Sequence, residues 1–181
     1  MRYLTEAQVW QLANAAAFSG DKGQRNKLLV LVLFYTAARK DAVLHITPGS
    51  LIAPDMVQIR RLKGAKDMPT MQECNIPSWL FQMLVAYVKE HCITSKQLIF
   101  DISGVRCWQI IKTLGLGLGW DITVHSLRHS RAVDVALKTG NPMIVQGVLG
   151  HASWRTSDIY VGIAREQMAA KALRGLQEKP H

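Results

Sequence analysis

Eight consecutive apolar residues, Leu28-Leu29-Val30-Leu31-Val32-Leu33-Phe34-Tyr35, constrain the fold more than any other feature. They lie in a stretch, 24–38, that reads as a helix. A helix that is apolar all round has no face to give to water, so it belongs at the centre of the molecule. The run is too short to cross a bilayer, which needs about 20 residues. The N-terminal Met1-Arg2-Tyr3-Leu4-Thr5-Glu6 lacks the apolar stretch of a secretion signal. The expectation is a cytoplasmic protein, neither secreted nor embedded in a membrane.

The 181 residues suffice for one domain with a sizeable core, and 49% of them are apolar. Only 19% are charged, below the average of roughly 25%, which argues against disorder. The balance of charge is one-sided: Lys+Arg is 22, Asp+Glu is 13, and the net charge is +9. Such a surface attracts polyanions, of which nucleic acid is the commonest in cells. There is no Lys/Arg tract or basic tail, so any nucleic-acid surface must be assembled by the fold. Cys74, Cys92 and Cys107 are odd in number, far apart and without a CxxC, which fits reduced cysteines better than a disulfide framework or a zinc site.

The content reads as mainly helical with one small antiparallel sheet. Thr5 and Gln8 form a capping-box pattern for a helix to about Phe18, and 19–23 is a turn. Residues 56–62 mostly alternate, as a half-buried strand does, and 71–76 can return as a partner across a turn at 63–67. Pro48-Gly49 and Pro54-Asp55 mark further turns, giving two or three strands. Pro77 fits the first position of a helix to about His91. Ser103-Gly104 opens another, ending near Gly115, and Gly115-Leu116-Gly117-Leu118-Gly119 reads as a flexible connection. Helices follow at roughly 126–139, 142–149, 153–160 and 164–176, with Asn141-Pro142 as N-cap and first position.

The stretch 123–161 carries the chemistry: His125, Arg128 and His129 in H-x-L-R-H, then Leu149-Gly150-His151, then Tyr160. On a helix, Arg128 shares a face with Ala132, Val135 and Ala136, whereas Arg131, Asp134 and Lys138 form the solvated face. Arg128 therefore points to protein or ligand, and a buried guanidinium needs an anion. A carboxylate in a structural ion pair is one candidate; a phosphate is the other. Arg39 ends the buried helix, where the helix dipole alone favours a cation. Lys63 falls at a hairpin tip. Each residue has an ordinary structural explanation, but their order and spacing together do not.

The series Arg39, Lys63, H-x-L-R-H at 125–129, L-G-H at 149–151 and Tyr160 resembles the catalytic domain of the tyrosine recombinases, the phage-integrase family. The resemblance covers the chain from Tyr3 to about Ala170. It implies that Arg39, His125, Arg128 and His151 surround the scissile phosphate of double-stranded DNA and that Tyr160 is the nucleophile. Lys63 matches the lysine on the family's β-hairpin, with Lys66 a competitor for that role. The implied activity is site-specific strand exchange through a 3′-phosphotyrosyl link, which conserves the phosphodiester energy and requires neither ATP nor metal. The sequence is consistent with this, having no GxxxxGK[ST] loop and no acidic cluster for magnesium.

Other motifs fail on inspection. His125 and His129 are spaced as in an HExxH zinc helix, but position 126 is Ser, so the general base is missing. Gly115-x-Gly117-x-Gly119 is not a dinucleotide fingerprint. Ser126, His129 and Asp121 lack a GxSxG elbow.

Two departures from the family stand out. An acidic residue usually lies three positions after the first arginine; here Ala42 does, and Asp41 is the nearest acid. The family's N-terminal helical domain has no counterpart in these 181 residues, so the expectation is a single catalytic domain, either a fragment or a short, inverter-like member. Met168, Ala172 and Leu176 sit at four-residue spacing in a C-terminal helix. That helix either packs on its own domain or, by resemblance, docks on a neighbour in a homo-tetramer on DNA. A non-catalytic DNA-binding regulator and a type IB topoisomerase are the competing functions.

Overall fold

The computed structural model describes residues 3–60, 71–150 and 155–177, the last of these partly as backbone only. Lys63, Lys66 and His151 lie outside the described residues. Helix α1 (Glu6–Ala17) starts at the expected capping box: Thr5 Oγ1 accepts from the Gln8 amide at 3.3 Å, and Gln8 Oε1 accepts from the Thr5 amide at 2.9 Å. Helix α2 (Gly23–Thr36) is the central rod, with every residue from Leu28 to Tyr35 buried. It is covered by α1, by α4 (Ser78–Glu90) and by α6 (Val124–Thr139). The apolar run thus meets protein on all sides, as its composition demands.

Helix α2 stops earlier than its sequence suggests. Thr36 Oγ1 donates to the Val32 carbonyl at 2.6 Å and accepts from the Ala38 amide at 3.2 Å, closing the helix with its own side chain. Ala37 then takes a left-handed conformation, φ 49°, and a short helix α3 (Lys40–Leu44) follows. Arg39 is therefore not the C-terminal residue of the buried helix. It is the extended N-cap residue of α3.

The sheet has three antiparallel strands in the order β1 (Leu51–Ile52), β2 (Met56–Arg60), β3 (Met71–Asn75). Val57 pairs with Cys74 and Ile59 with Gln72. Val57, Ile59 and Cys74 are buried, which accounts for the alternation in the sequence.

Three boundaries differ from expectation. Pro77 is the N-cap of α4 rather than its first helical residue. Two helices were expected around 160 and 170, but from Arg155 on there is one, α8 (Arg155–Gln177); Gly162 sits inside it, a cost of about 1 kcal/mol that a long helix tolerates. Helix α5 (Gly104–Gly117) continues through Gly115 and Gly117, so these glycines are not a loop. Gly115 permits close packing instead. A Cβ there would lie 2.7 Å from the Trp120 carbonyl oxygen and would also strike Ile122. Gly115→Ala should therefore lower stability by about 1–3 kcal/mol, the usual cost of overpacking, which urea unfolding would register.

The buried side chains form two clusters. The larger surrounds α2 and includes Leu127 of α6. The smaller joins Ala132, Val133, Val135 and Ala136 of α6 to α7 (Pro142–Leu149) and α8, with Ala37 at its edge. Arg131 is not on a solvated face: its guanidinium lies over the rings of Phe34 and Tyr35, 5.5 and 5.3 Å from their centroids, and pairs with Asp134 at 2.7 Å. The aromatic end of the central helix draws it inward. No helix among the described residues is long and apolar enough to cross a membrane.

Candidate active site

Arg128 sits on α6 where the two apolar clusters meet, between Leu127 of the larger and Ala132 of the smaller. It is 7% exposed. The start of its helix is fixed by Thr123, whose amide donates to Ser126 Oγ at 3.0 Å. The guanidinium donates from Nη1 to the Ala37 carbonyl and from Nη2 to the Leu149 carbonyl, the latter at 2.8 Å. Two chain reversals aim these acceptors: the left-handed Ala37 after α2, and the end of α7, where Gly150 has φ 61°.

Among the described residues no carboxylate pairs with Arg128, so the structural ion pair admitted by the sequence is not what holds it. Burial, and then the charge of Arg39, bring its pKa down to about 10. It is still cationic at neutral pH. Carbonyl dipoles orient that charge without neutralising it.

An open cleft of about 360 Å³ lies alongside, lined by Arg39, Lys40, Trp108, His125 and Arg128 among others. Three sequence-predicted site residues thus line one cavity. Arg39 and His125 are exposed there. Burial, and then the charges of Arg128 and Arg39, hold the His125 imidazole below the ordinary histidine value, so it is neutral at pH 7. Asp41, the acid nearest Arg39 in sequence, is exposed, with its carboxylate 3.6 Å from Lys40. Lys40 and Trp108 are cleft residues that sequence reasoning passed over. Trp108 carries one usable signal: it flanks the buried stripe of Cys107, Ile110 and Ile111 on α5 without joining it.

Tyr160 projects from α8 into the smaller cluster and is 7% exposed. Its Oη lies 2.5 Å from His129 Nδ1. His129 in turn packs edge-on against His125, with centroids 4.4 Å apart. Burial raises the Tyr160 pKa, opposed by the charge of Arg128. Burial, then His125 and Arg128, lower that of His129. Both groups are therefore neutral at pH 7, so the phenol donates and the imidazole accepts. The residue hydrogen-bonded to the phenol is His129, one turn beyond His125 along the same face of α6.

The turn that leads to His151 is braced by the sheet. Gln72 of β3 donates from Nε2 to the Val148 carbonyl at 3.2 Å. A Cβ at residue 150 would lie 2.5 Å from Gln72 Oε1 and displace that amide, and the φ of 61° itself favours glycine there.

Comparison with known proteins bears on the family and the fold. Tyrosine recombinase XerA of Thermococcus kodakarensis is 27% identical over 165 residues, covering 86% of this chain and 55% of that protein. Tyrosine recombinase XerD of Corynebacterium glutamicum is 27% identical over 154 residues, covering 80% and 50%. The chain spans about half the length of these relatives. Among solved structures, a XerA recombinase matches with TM-score 0.76 and 23% identity over all of this chain and 66% of its own. The catalytic domain of bacteriophage HP1 integrase matches with TM-score 0.68 and 19% identity, over all of this chain and 99% of its own. A XerH site-specific recombinase bound to a palindromic difH substrate matches with TM-score 0.77 and 19% identity, over 94% of this chain and 52% of its own. These structures share the fold, and a model of the phage integrase family matches residues 2–167. A buried arginine clamped by two carbonyls, an adjoining cationic cleft and a tyrosine bonded to a histidine accordingly sit in a chain that belongs to the phage integrase family of tyrosine recombinases.

Proposed function

We propose that the chain cuts and rejoins double-stranded DNA in site-specific recombination, with Tyr160 as nucleophile. The observation that carries this reading is Arg128, a preorganised cation beside an open cleft with no carboxylate paired to it among the described residues. A phosphodiester is anionic, and its pentacoordinate transition state carries more negative charge still. Arg128 and Arg39 bind the non-bridging oxygens and offset that charge. The fixed carbonyls mean that Arg128 needs little reorganisation as the charge develops.

The step balances as a transesterification. Tyr160 Oη forms a bond to phosphorus as the bond to the 5′ oxygen breaks. The phenolic proton passes to His129 Nδ1, next to the neutral His125. The departing 5′ oxygen takes a proton from the hairpin lysine, Lys63 or Lys66, and His151 donates to a phosphoryl oxygen. A 5′-hydroxyl from a second strand reverses the sequence. One phosphodiester is exchanged for another, so neither ATP nor a metal is needed. Exchange between two sites calls for several protomers on DNA, and α8, with Met168 and Leu173 exposed, is the proposed contact within a homo-tetramer. The XerH structures in pre- and post-cleavage complexes with difH support DNA as the partner of this fold.

The test is covalent trapping on a pool of random nicked duplexes that let the cleaved end diffuse away. SDS-resistant adducts would be digested with trypsin, which should leave DNA on the peptide 156–165, whose one tyrosine is Tyr160. DNA binding without adduct would indicate a regulator that keeps the fold. Plasmid relaxation without exchange between paired sites would indicate a type IB topoisomerase.

The histidine pair sets the pH dependence. His129 is held below the ordinary histidine value, so its acceptor nitrogen is free at neutrality and is lost as pH falls through that lowered value. Adduct formation should be flat around pH 7 and decline on the acid side of about 6.5. His129→Phe should slow adduct formation by about 10²-fold, the scale of a general base, and alter that acid limb. An unaltered limb would assign the role to His125 instead.

A further inference from the structure

Trp108 is exposed in a place where exposure needs a reason. Its neighbours Cys107 and Ile111 are buried in the larger cluster and Ile110 is buried beside them, while Trp108 is 46% exposed. That surface forms a wall of the cleft holding Arg39, Lys40, His125 and Arg128. The cleft therefore offers cations to one part of its occupant and a flat apolar ring to another. Lys40 also approaches the start of α5: a Cβ at Gly104 would lie 2.8 Å from its Nζ. This lysine and α5 thus pack together at the cleft's edge.

A molecule matched to such walls carries an anion and, a few bonds away, an apolar face. In duplex DNA the base faces are covered by their stacked neighbours. The apolar surface left beside a phosphate is the edge of the deoxyribose, and its bare C2′ is what distinguishes DNA from RNA. We propose that Trp108 packs against the deoxyribose next to the phosphate held by Arg39 and Arg128, and so selects against a substituent at C2′. The inference rests on DNA being the occupant of this cleft.

The experiment uses the nicked duplex identified by trapping, and the same duplex with a 2′-methoxy group on either nucleotide flanking the cleaved phosphate. A methoxy group has no proton to lose and cannot itself attack the phosphotyrosyl bond. Wild type, Trp108→Phe and Trp108→Ala are compared in adduct formation and in binding measured by fluorescence anisotropy over a salt series. Wild type should disfavour one of the two methoxy duplexes by about tenfold, within the range of a single aromatic contact to a nucleotide. Trp108→Ala should weaken binding to unmodified DNA by a similar factor and lose the discrimination. Its salt dependence should be unchanged, because an apolar contact releases no counterions. Trp108→Phe should retain part of the discrimination.

Equal discrimination by wild type and Trp108→Ala, with both proteins folded by thermal melting, would overturn the proposal. So would full mimicry of Trp108→Ala by a tetrahydrofuran abasic residue, which would assign the ring to the base. If no protein forms an adduct on any duplex, the reading of Tyr160 fails, while binding to a random nicked duplex with and without 2′-methoxy groups at the nick still decides the role of Trp108.

Discussion

Tyr160→Phe should form no covalent adduct with DNA while its affinity for DNA changes by less than about twofold. The expectation of unchanged affinity follows from charge: DNA binding is dominated by contacts between cations and phosphates, and this substitution removes none. The aromatic ring stays in the smaller cluster, so the packing with Val161 and Ala164 persists. What is lost is one hydrogen bond to His129, worth about 1 kcal/mol or less to folding. An electrophoretic assay for SDS-resistant adducts, beside anisotropy at matched salt, separates the two quantities. Residual adduct in the variant would mean that another group attacks phosphorus.

Arg128→Lys should slow adduct formation by about 10³-fold, the upper range for deleting one preorganised donor from a transition-state site. Charge is conserved in this substitution, so the loss measures geometry. A guanidinium spans the Ala37 and Leu149 carbonyls and still presents its remaining edge to the cleft. An ammonium is a point donor on a flexible stem and cannot do both. A buried carbonyl then loses its partner, at about 1–3 kcal/mol, so the thermal midpoint should fall as well. Single-turnover rates on nicked duplexes, taken below that midpoint, isolate the chemical effect. A rate within tenfold of wild type would show that charge alone is what the site requires of residue 128.

The residues that could be read from sequence were those whose spacing is local. The H-x-L-R-H face, the capping box at Thr5 and the buried run at 28–35 depend only on helical periodicity, and all three stand in the structure. Arg128 could be placed off the solvent face, but its partners could not. Backbone carbonyls 91 and 21 residues away leave no trace in composition or period. The break at Ala37 was hidden for a similar reason, since alanine is a strong helix former and the stop comes from the Thr36 hydroxyl. Arg131 was misplaced because periodicity registers which face a residue occupies and not which aromatic rings lie opposite it. Gly115 of α5 read as part of a loop because a tight contact with Trp120 and a flexible linker call for the same residue. His129 was visible as a motif letter; that it, rather than His125, bonds the phenol depends on where α8 crosses α6.

The division of the interior into two apolar clusters has a consequence for timing. The central helix and the start of α6 belong to the larger cluster, while Tyr160 belongs to the smaller one, with α7 and α8. A small, separately packed unit opens at lower free energy than the whole domain, and its amides exchange with solvent accordingly sooner. On the proposed reading the nucleophile, Tyr160, therefore rides on the unit expected to be less protected, and Arg128 lies at its boundary with the other. On that reading, undocking of α7 and α8 would withdraw the phenol without unfolding the rest, so the fraction of molecules ready to cut would follow a local equilibrium, read by hydrogen exchange at their amides, rather than global stability.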